Sequence, residues 1–355
     1  MNIPYRTRRK IQTVGTILLA LLLIGLVAWF CWVVWLERYI VYTDDGATLD
    51  LTMSANEVIG EVAVPPVANA DVPIYYNEGD NAIELGNQLK KLNGYYIDAE
   101  MLQSDISSIW NEIGKLASGT PILIDMKGGY GSFYYSSNLN DAIHSQSVSV
   151  TAVDELITEL QRKGFYTIAR VSAFRDYNYG LNHVTSGLYM LSRAGLWPDE
   201  GGCYWLDPTN ATTLTWITSI VLELKGIGFN EVLLTDFRFP NSDQYIFDGD
   251  KEAALQDAAT KLMANCASSD FTLSFCVDNA AFPLPEGRCR MYLTGVDAAN
   301  VGAKASQISF EDPEVRLVFI AETNDTRFDS YGVLRSIKVS DVLEAQKADK
   351  ATGLQ

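Results

Sequence analysis

The stretch EVLLTDFRFP at residues 231–240 joins an apolar run to two charged side chains, and no other part of the sequence indicates chemistry so clearly. Residues 232–234 are typical of a buried parallel strand, and Asp236 and Arg238 follow at its carboxyl end. Burying charged groups beside so much apolar surface costs free energy unless they pair or act. Because barrels and open α/β sheets build their sites at the C-terminal ends of strands, Asp236 and Arg238 are the first candidates.

Acidic and basic side chains recur after the other apolar runs of the sequence. They are Asp98, Glu100, Asp125, Lys127, Arg170, Arg175, Asp176, Asp278 and Glu322. Two carboxyl groups on one rim can act as general acid and as nucleophile or base in glycosidic cleavage. We therefore expect Asp236 to be the nucleophile or base, and Asp278 or Glu322 to be the acid. Arg170 and Arg238 would orient the reacting groups and stabilise charge. An ion-pair network that only closes a barrel is the alternative.

Strand and helix patterns alternate from about residue 92 onward. The strand candidates are Tyr95–Met101, Pro121–Met126, Phe165–Val171, Glu231–Phe237, Phe271–Val277, Arg290–Val296, Arg316–Ala321 and a weaker one at Gly332–Ile337. Helical patterns lie between them, most clearly at 151–163, 211–225 and 251–264. This alternation predicts an α/β fold, a (β/α)8 TIM-type barrel with a short or degenerate last strand. A doubly wound open sheet is the alternative, although no GxGxxG motif follows the first strand.

Aromatic residues are concentrated in the loops that follow these strands. They include residues 133–135, Tyr130, Tyr177, Tyr179, Tyr204, Trp205 and Phe239. Trp and Tyr rings can stack on the apolar C–H faces of sugars, although core packing explains some of the residues. The glycine-rich turn 128–131 makes Tyr130 a surface or cleft residue, and it lacks the Lys-Ser/Thr pair of a phosphate loop. We expect Tyr130 and Trp205 to bind carbohydrate.

Charge and motif content argue against several other functions. All 44 acidic residues follow residue 36, against 23 basic ones, so that part carries a formal charge of −21. Such a surface repels phosphate backbones, and nucleic acid is not an expected partner. The two histidines fall outside the predicted strand ends, and neither CxxC nor GxSxG occurs. A zinc site and a Ser-His-Asp triad are therefore poorly supported, and we expect no metal or organic cofactor.

The five cysteines are compatible with either free thiols or a disulfide. Cys31 lies in an apolar N-terminal run, and the others are Cys203, Cys266, Cys276 and Cys289. We expect these four to be buried free thiols. A disulfide is the alternative, because it would persist outside the cytoplasm.

The N-terminus contains an uncharged run of 23 residues, 14–36. It exceeds the roughly 20 residues that a membrane helix needs. It ends with Trp32 and Trp35, followed by Tyr39, which suit an interfacial aromatic belt. Four basic residues and no acidic one precede it, so the positive-inside rule predicts a cytoplasmic N-terminus and an outward-facing remainder. A cleaved signal peptide is the alternative, but it would have a shorter apolar core.

Four segments in order carry a family resemblance: PILIDMKGGYGSFYYSS (121–137), GFYTIARVSAFRD (164–176), CYWLDPTN (203–210) and EVLLTDFRFP (231–240). Together they resemble the putative glycosyl hydrolase domain family, bacterial barrels distantly similar to the α-amylase-type glycoside hydrolases. The resemblance covers residues 92–280 well. It implies a TIM-type barrel, a carbohydrate substrate and a bacterial cell-surface setting.

One departure from the family pattern concerns the fourth strand. The family motif resembles F-D-Y-V-R-F-P, and Thr235 occupies the position of its acid, one residue before Asp236. A one-residue shift on a strand turns a side chain to the opposite face unless the backbone is locally irregular. The resemblance also matches Asp125, Arg170 and Asp207 to substrate-binding positions. Asp207 or Thr209 is equally a candidate cap for the helix that follows.

The sequence therefore predicts five regions. They are a cytoplasmic basic tail (1–13), a transmembrane anchor (14–36), an extracellular stalk or linker (37–91), a glycoside-hydrolase-like barrel (92–340) and a C-terminal tail (341–355). We expect a single-pass protein of the bacterial cell membrane that acts on a cell-wall or extracellular polysaccharide. The alternative is a non-catalytic barrel that binds carbohydrate or organises the envelope and has lost the hydrolase nucleophile.

Overall fold

The computed structural model describes residues 22–26, 28–29, 32, 40–43, 46–49, 89–104 and 106–335. The chain divides into two compact units, residues 1–76 and 77–355. In the first unit, the short strands Ile40–Thr43 and Gly46–Leu49 form an antiparallel hairpin. No helix within the described ranges is both long and apolar enough to cross a bilayer. The basic tail, most of the predicted anchor 14–36, most of the linker and the C-terminal tail lie outside those ranges.

Eight parallel strands close into a barrel in the second unit. They are β1 Asn93–Ile97, β2 Pro121–Lys127, β3 Tyr166–Ser172, β4 Glu231–Thr235, β5 Thr272–Cys276, β6 Met291–Thr294, β7 Leu317–Ala321 and β8 Gly332–Arg335. Each strand pairs with its neighbours in sequence, and β8 pairs with β1 to complete the circle. The predicted parallel barrel is confirmed, and its closure excludes the open doubly wound sheet. The last strand is short but regular.

Helices connect most of the strands. They are α1 Ala99–Ser104, α2 Ile106–Ile113, α3 Val150–Arg162, α4 Tyr177–Asn182, α5 Ala211–Ile227, α6 Lys251–Cys266, α7 Val301–Ala305 and α8 Pro313–Arg316. Three 3₁₀ turns, Val184–Ser186, Ala298–Asn300 and Thr326–Ser330, lie in the connections. Asn210 caps α5 by accepting from Thr212 N at 2.8 Å, so the expected Asp207 or Thr209 cap is wrong. Asp207 is not available because it accepts from both the backbone N–H and the hydroxyl of Thr209.

The alternation of side chains along each strand separates two buried layers. Outward residues such as Ile122 and Val232 pack with the helices in one large apolar cluster. Inward residues such as Leu123, Leu233 and Val318 form a second, smaller cluster inside the barrel. This is the pattern expected for a parallel strand whose two faces are both covered.

The N-terminal end of the barrel is filled by a buried ion pair. Arg290 Nη1 lies 2.5 Å from Glu231 Oε2, and both side chains are fully buried. Glu231 also accepts from Ser274 Oγ at 2.6 Å and from Tyr292 Oη at 2.8 Å, while Arg290 donates to the Lys90 carbonyl. These contacts fill the barrel interior where β4 begins. Among the described residues, the C-terminal ends of the strands are therefore the open side of the interior.

Candidate active site

Asp236 faces the mouth of the barrel because its backbone leaves the strand conformation. β4 ends at Thr235, and Asp236 follows with φ of 51° in the left-handed region. Its carboxylate Oδ2 accepts from Ser172 Oγ at 2.6 Å. Ser172 is the last residue of β3, two positions beyond Arg170 on the same face of that strand. The one-residue shift relative to the family motif is therefore compensated by an irregular backbone, not by a turn of the side chain away from the mouth.

The left-handed backbone at Asp236 is an observable sign of stored strain. A non-glycine residue in this region costs on the order of 1–3 kcal/mol and persists only where the surroundings impose it. Here Phe237 is fully buried, with its ring centroid 4.9 Å from that of Phe174 and 4.8 Å from that of Phe275. Thr235, 4 % exposed, donates its hydroxyl to the Val171 carbonyl. Well-packed neighbours thus hold Asp236 in a conformation that strained active-site residues often adopt.

Asp125, Arg170 and Tyr96 form a hydrogen-bonded triad at the ends of β1, β2 and β3. The Asp125 carboxylate accepts from Tyr96 Oη at 2.9 Å, from Arg170 Nη1 at 2.8 Å and from Ala99 N at 3.0 Å. Burial, and then the Asp125 charge, raises the pKa of Tyr96 well above its usual range. Burial alone would lower the pKa of Arg170, but the Asp125 carboxylate and Tyr96 raise it. Asp125 therefore serves to hold Arg170, since its oxygens are already engaged.

Arg238 links Asp278 to Trp205 on the next part of the rim. Its Nε lies 3.2 Å from Asp278 Oδ2, and its guanidinium carbon lies 4.9 Å from the centre of the Trp205 ring. The Asp278 side chain is 76 % exposed. Trp205 is only 2 % exposed, and its Nε1 donates to Asp199 at 3.1 Å. This corrects the expectation that Trp205 stacks on a sugar, because its ring is packed beneath Arg238 and is not open to a ligand.

Cys276 ends β5 on the inward face, two residues before Asp278. The charges of Arg170, Asp236 and Asp278 all act on its thiol. Burial raises the pKa of this thiol to about 11, so it is protonated at neutral pH. Arg170 lies near the end of β3, and Asp236 and Asp278 follow β4 and β5, so neighbouring strand ends place all three on the same part of the rim. Cys203, Cys266 and Cys289 are also free thiols, and all three are buried.

A group of one exposed and two half-buried tyrosines, which we call the aromatic platform, lies beside this site. It consists of Tyr130, Tyr177 and Tyr204. The rings of Tyr177 and Tyr204 are stacked, with centroids 5.2 Å apart and an angle of 8° between them, and Tyr130 is 54 % exposed. Four of the other aromatic candidates belong to the apolar core instead: Phe133, Tyr135, Tyr179 and Phe239.

A buried ion pair holds the aromatic platform in place. Lys127 Nζ lies 2.9 Å from Asp176 Oδ2, and it also donates to the Ser172 carbonyl at 2.8 Å. Asp176 caps α4 by accepting from Tyr179 N, and Trp216 Nε1 donates to its other oxygen. The polar ends of β2 and β3 therefore fix the start of the helix that carries Tyr177.

Glu322 and Asp207 lie outside the group around Cys276. Glu322 is exposed in a cleft of about 530 Å³ beyond β6 and β7, together with Asp297 and Arg327. Asp207 borders a separate cleft of about 250 Å³ in the connection between β3 and α5. Glu322 does follow β7, but the structure does not bring it into contact with Asp236.

Three contributors to the site are missing from the sequence-based set: Tyr96, Ser172 and Cys276. Each lies on the inward face of its strand, two residues before or after a charged residue. Tyr96 precedes Asp98, Ser172 follows Arg170, and Cys276 precedes Asp278. The period of two along a strand could have identified them. No group of three or more His, Cys, Asp or Glu side chains in the described part of the chain is arranged to hold a metal ion.

The sequence comparison identifies one family. Residues 103–273 match the model of the family described as "Putative glycosyl hydrolase domain", which confirms the resemblance drawn from the four segments. The matched range contains Asp125, Arg170 and Asp236 but ends before Asp278 and Glu322. A comparison with curated proteins finds no match.

Solved structures give similarities at the level of the fold. A hypothetical protein from Ruminiclostridium thermocellum ATCC 27405 is 19 % identical over 51 % of this chain and 96 % of that chain, with a TM-score of 0.45. The GH36 alpha-galactosidase AgaA from Geobacillus stearothermophilus is 11 % identical over 75 % of this chain and 42 % of that chain, with a TM-score of 0.50. TtGalA, an alpha-galactosidase from Thermus thermophilus, is 11 % identical over 76 % of this chain and 63 % of that chain, with a TM-score of 0.48. The chain thus spans less than two thirds of either galactosidase.

Proposed function

Because the chain contains a glycosyl-hydrolase-like domain, we propose that it cleaves glycosidic bonds at the mouth of its barrel. Asp236 attacks the anomeric carbon or removes a proton from the attacking water, and Asp278 gives a proton to the departing glycosidic oxygen. The observation that carries this proposal is the orientation of Asp236, whose carboxylate accepts from Ser172 over the barrel mouth. Arg170 contributes a positive charge from the deeper layer.

Asp278 is a better partner for Asp236 than Glu322 is. Asp278 follows β5, the strand paired with β4, whereas Glu322 follows β7 and lies beyond β6. A pair of carboxyl groups must flank one bond, so neighbouring strand ends are the favourable arrangement.

The test is a hydrolysis screen of the full-length protein in mild detergent on soluble plant and bacterial polysaccharides. On a substrate that is cleaved, Asp278→Asn is expected to lower kcat by about 10²–10⁴-fold, the range of a lost general acid. Glu322→Gln is the matched control and should change kcat by less than about tenfold, because its carboxyl does not reach the bond. Full activity of Asp278→Asn, or collapse of Glu322→Gln instead, would contradict this assignment of roles.

A non-catalytic carbohydrate-binding barrel is the second candidate. The observation that favours it is Thr235, which occupies the family's acid position and is buried with its hydroxyl engaged by the Val171 carbonyl. The two candidates differ in a simple measurement. A binding module is retarded by a glycan in affinity electrophoresis but releases no reducing ends from it, whereas a hydrolase does both.

We further propose that residues 14–36 anchor the protein in a bacterial cell membrane, with the N-terminus in the cytoplasm. The proposal is supported by the uncharged run of 23 residues and by the basic residues before it. The chain is expected to stay in the membrane pellet after an alkaline carbonate wash, and protease added to intact spheroplasts should digest the barrel. Replacing Leu19 and Leu22 with arginine should release it. Recovery of the unaltered protein in the wash would refute the anchor.

A further inference from the structure

We infer that the barrel mouth binds an internal stretch of an extended glycan, with sugar-binding surfaces on both sides of Asp236 and Asp278. This inference rests on the proposed function and names its substrate class. The aromatic platform of Tyr130, Tyr177 and Tyr204 forms one surface. The other is the polar cleft, which we define by Asp297, Glu322, Thr323, Asp325 and Arg327. A chain that occupies both surfaces is cut between its ends.

The order of the strands places the two surfaces on opposite sides of the acids. Tyr130 follows β2 and Tyr177 follows β3, whereas Asp236 follows β4 and Asp278 follows β5. The polar cleft follows β6 and β7. Because neighbouring strands in sequence are also neighbours in the barrel, the rim presents the platform, the acids and the cleft in that order.

Direct contacts connect the aromatic platform to Asp236. Ser172 Oγ lies 2.6 Å from Asp236 Oδ2 and 2.8 Å from the Arg175 carbonyl oxygen. The guanidinium carbon of Arg175 lies 5.9 Å from the centre of the Tyr130 ring. The Tyr130 hydroxyl donates to the Gly201 carbonyl, which fixes the ring while leaving much of it exposed. An exposed ring held in this way can stack on a sugar face at little entropic cost.

On the other side, the cavity beside Asp278 and the polar cleft share part of their walls. Asp278 lines a cavity of about 190 Å³ together with Asp297 and Lys304. Asp297 also lines the larger cleft of about 530 Å³, whose wall includes Glu322 and Arg327. Carboxylate acceptors and guanidinium donors in one cleft suit the hydroxyl groups of a sugar, which both donate and accept. Polar side chains therefore line the rim from Asp278 to Arg327, beyond the reacting bond.

The experiment uses reducing-end-labelled ladders of cello-, xylo-, malto- and galacto-oligosaccharides, from disaccharides upward, with the full-length protein. Cleavage is expected to begin at internal bonds, so that labelled products of intermediate length appear first. Tyr130→Ala and Thr323→Trp, which fills the cleft, should each lower kcat/KM for long oligomers about tenfold. That change corresponds to about 1.4 kcal/mol. For the shortest oligomer that is cleaved, the same variants should have little effect.

Two further variants separate ligand contact from misfolding. Tyr130→Phe restores the ring without its hydroxyl and should recover most of the activity that alanine loses. Thr326→Trp introduces the same bulk on an exposed residue next to the cleft that does not line it, and should behave as the unaltered protein.

The outcomes distinguish this inference from the proposed function. Release of single sugars from chain ends, with no length-dependent effect of Tyr130→Ala or Thr323→Trp, would overturn the extended substrate while leaving hydrolysis intact. No cleavage of any ladder or polysaccharide would contradict the proposed function itself. If hydrolysis fails but retention in affinity electrophoresis still rises with oligomer length and falls in both variants, the two-sided binding surface stands and the hydrolase does not.

Discussion

Asp236→Asn is expected to lower kcat by about 10³-fold or more on any glycan that the protein cleaves, with little change in glycan affinity. Asparagine keeps the shape of the side chain and tolerates a left-handed backbone, so the fold and the contact with Ser172 should persist. What it loses is the negative charge needed to attack the anomeric carbon or to take a proton from water. Initial rates of reducing-end release measure the change.

Asp236→Gly adds a second readout that a purely structural role would not produce. Glycine adopts φ of 51° without steric penalty, so it should relieve strain and raise the free energy of unfolding by about 1 kcal/mol. The same variant should lose hydrolysis as fully as asparagine does. Greater stability together with loss of activity is the behaviour of a strained residue kept for function.

The matched control is Asp257→Asn, on the exposed face of α6, where Asp257 pairs with Lys261 at 2.6 Å. It removes the same charge far from the barrel mouth and should leave kcat unchanged. If Asp236→Asn retains full activity, or if Asp236→Gly destabilises the barrel, Asp236 is a structural residue and the hydrolase assignment is wrong.

The barrel could be predicted from the sequence because it depends on patterns that a single chain displays. Each of the eight strand candidates overlaps an observed strand, since each is an apolar run bounded by polar or glycine-rich residues. The first is displaced, because Tyr95–Met101 runs into α1, whereas β1 covers Asn93–Ile97. The helices at 151–163, 211–225 and 251–264 were also correctly located to within two residues. These local patterns can be recognised, and a closed parallel barrel predicted from them, without knowing which residues meet in space.

The direction of Asp236 could not be predicted in the same way. Strict alternation from Leu234 and Thr235 would turn Asp236 to the outer, helix-covered face, and the sequence carries no glycine to indicate a left-handed residue. The conformation is imposed by packing of Phe237 against Phe174 and Phe275, which come from other parts of the chain. The same limit applies to Trp205, whose burial depends on Arg238 above it and Asp199 beside it.

Glu231 shows a second limit, because it appears in the sequence as the polar residue before an apolar run. In the barrel it is fully buried and meets Arg290, which lies 59 residues later in the chain. The pairing becomes visible only when β4 and the start of β6 enclose the same interior. A charged residue at the beginning of a strand can therefore be part of the buried interior, and the sequence alone does not distinguish it from a solvent-exposed one.

Glu231→Ala is expected to destabilise the barrel by about 3–5 kcal/mol, because it leaves the Arg290 guanidinium buried without its carboxylate. Ser274 and Tyr292 also lose the acceptor of their hydroxyl groups. For a barrel of this size, each kcal/mol lowers the melting temperature by about 2–4 °C, so the expected loss is about 6–20 °C. Thermal unfolding of the full-length protein, followed by circular dichroism, is the measurement.

The double replacement Glu231→Leu with Arg290→Met tests whether the loss of stability comes from the unpaired charge or from lost packing. Removing both charges eliminates the desolvation cost, and apolar side chains of similar volume should restore most of the lost stability. Asp257→Ala on α6 breaks an exposed ion pair and should cost only about 0.3–0.5 kcal/mol. If Glu231→Ala costs no more than Asp257→Ala, water reaches the base of the barrel and the interior is not sealed there. The mouth would then no longer be the single entrance for a ligand, so this stability measurement also bears on where the glycan must bind.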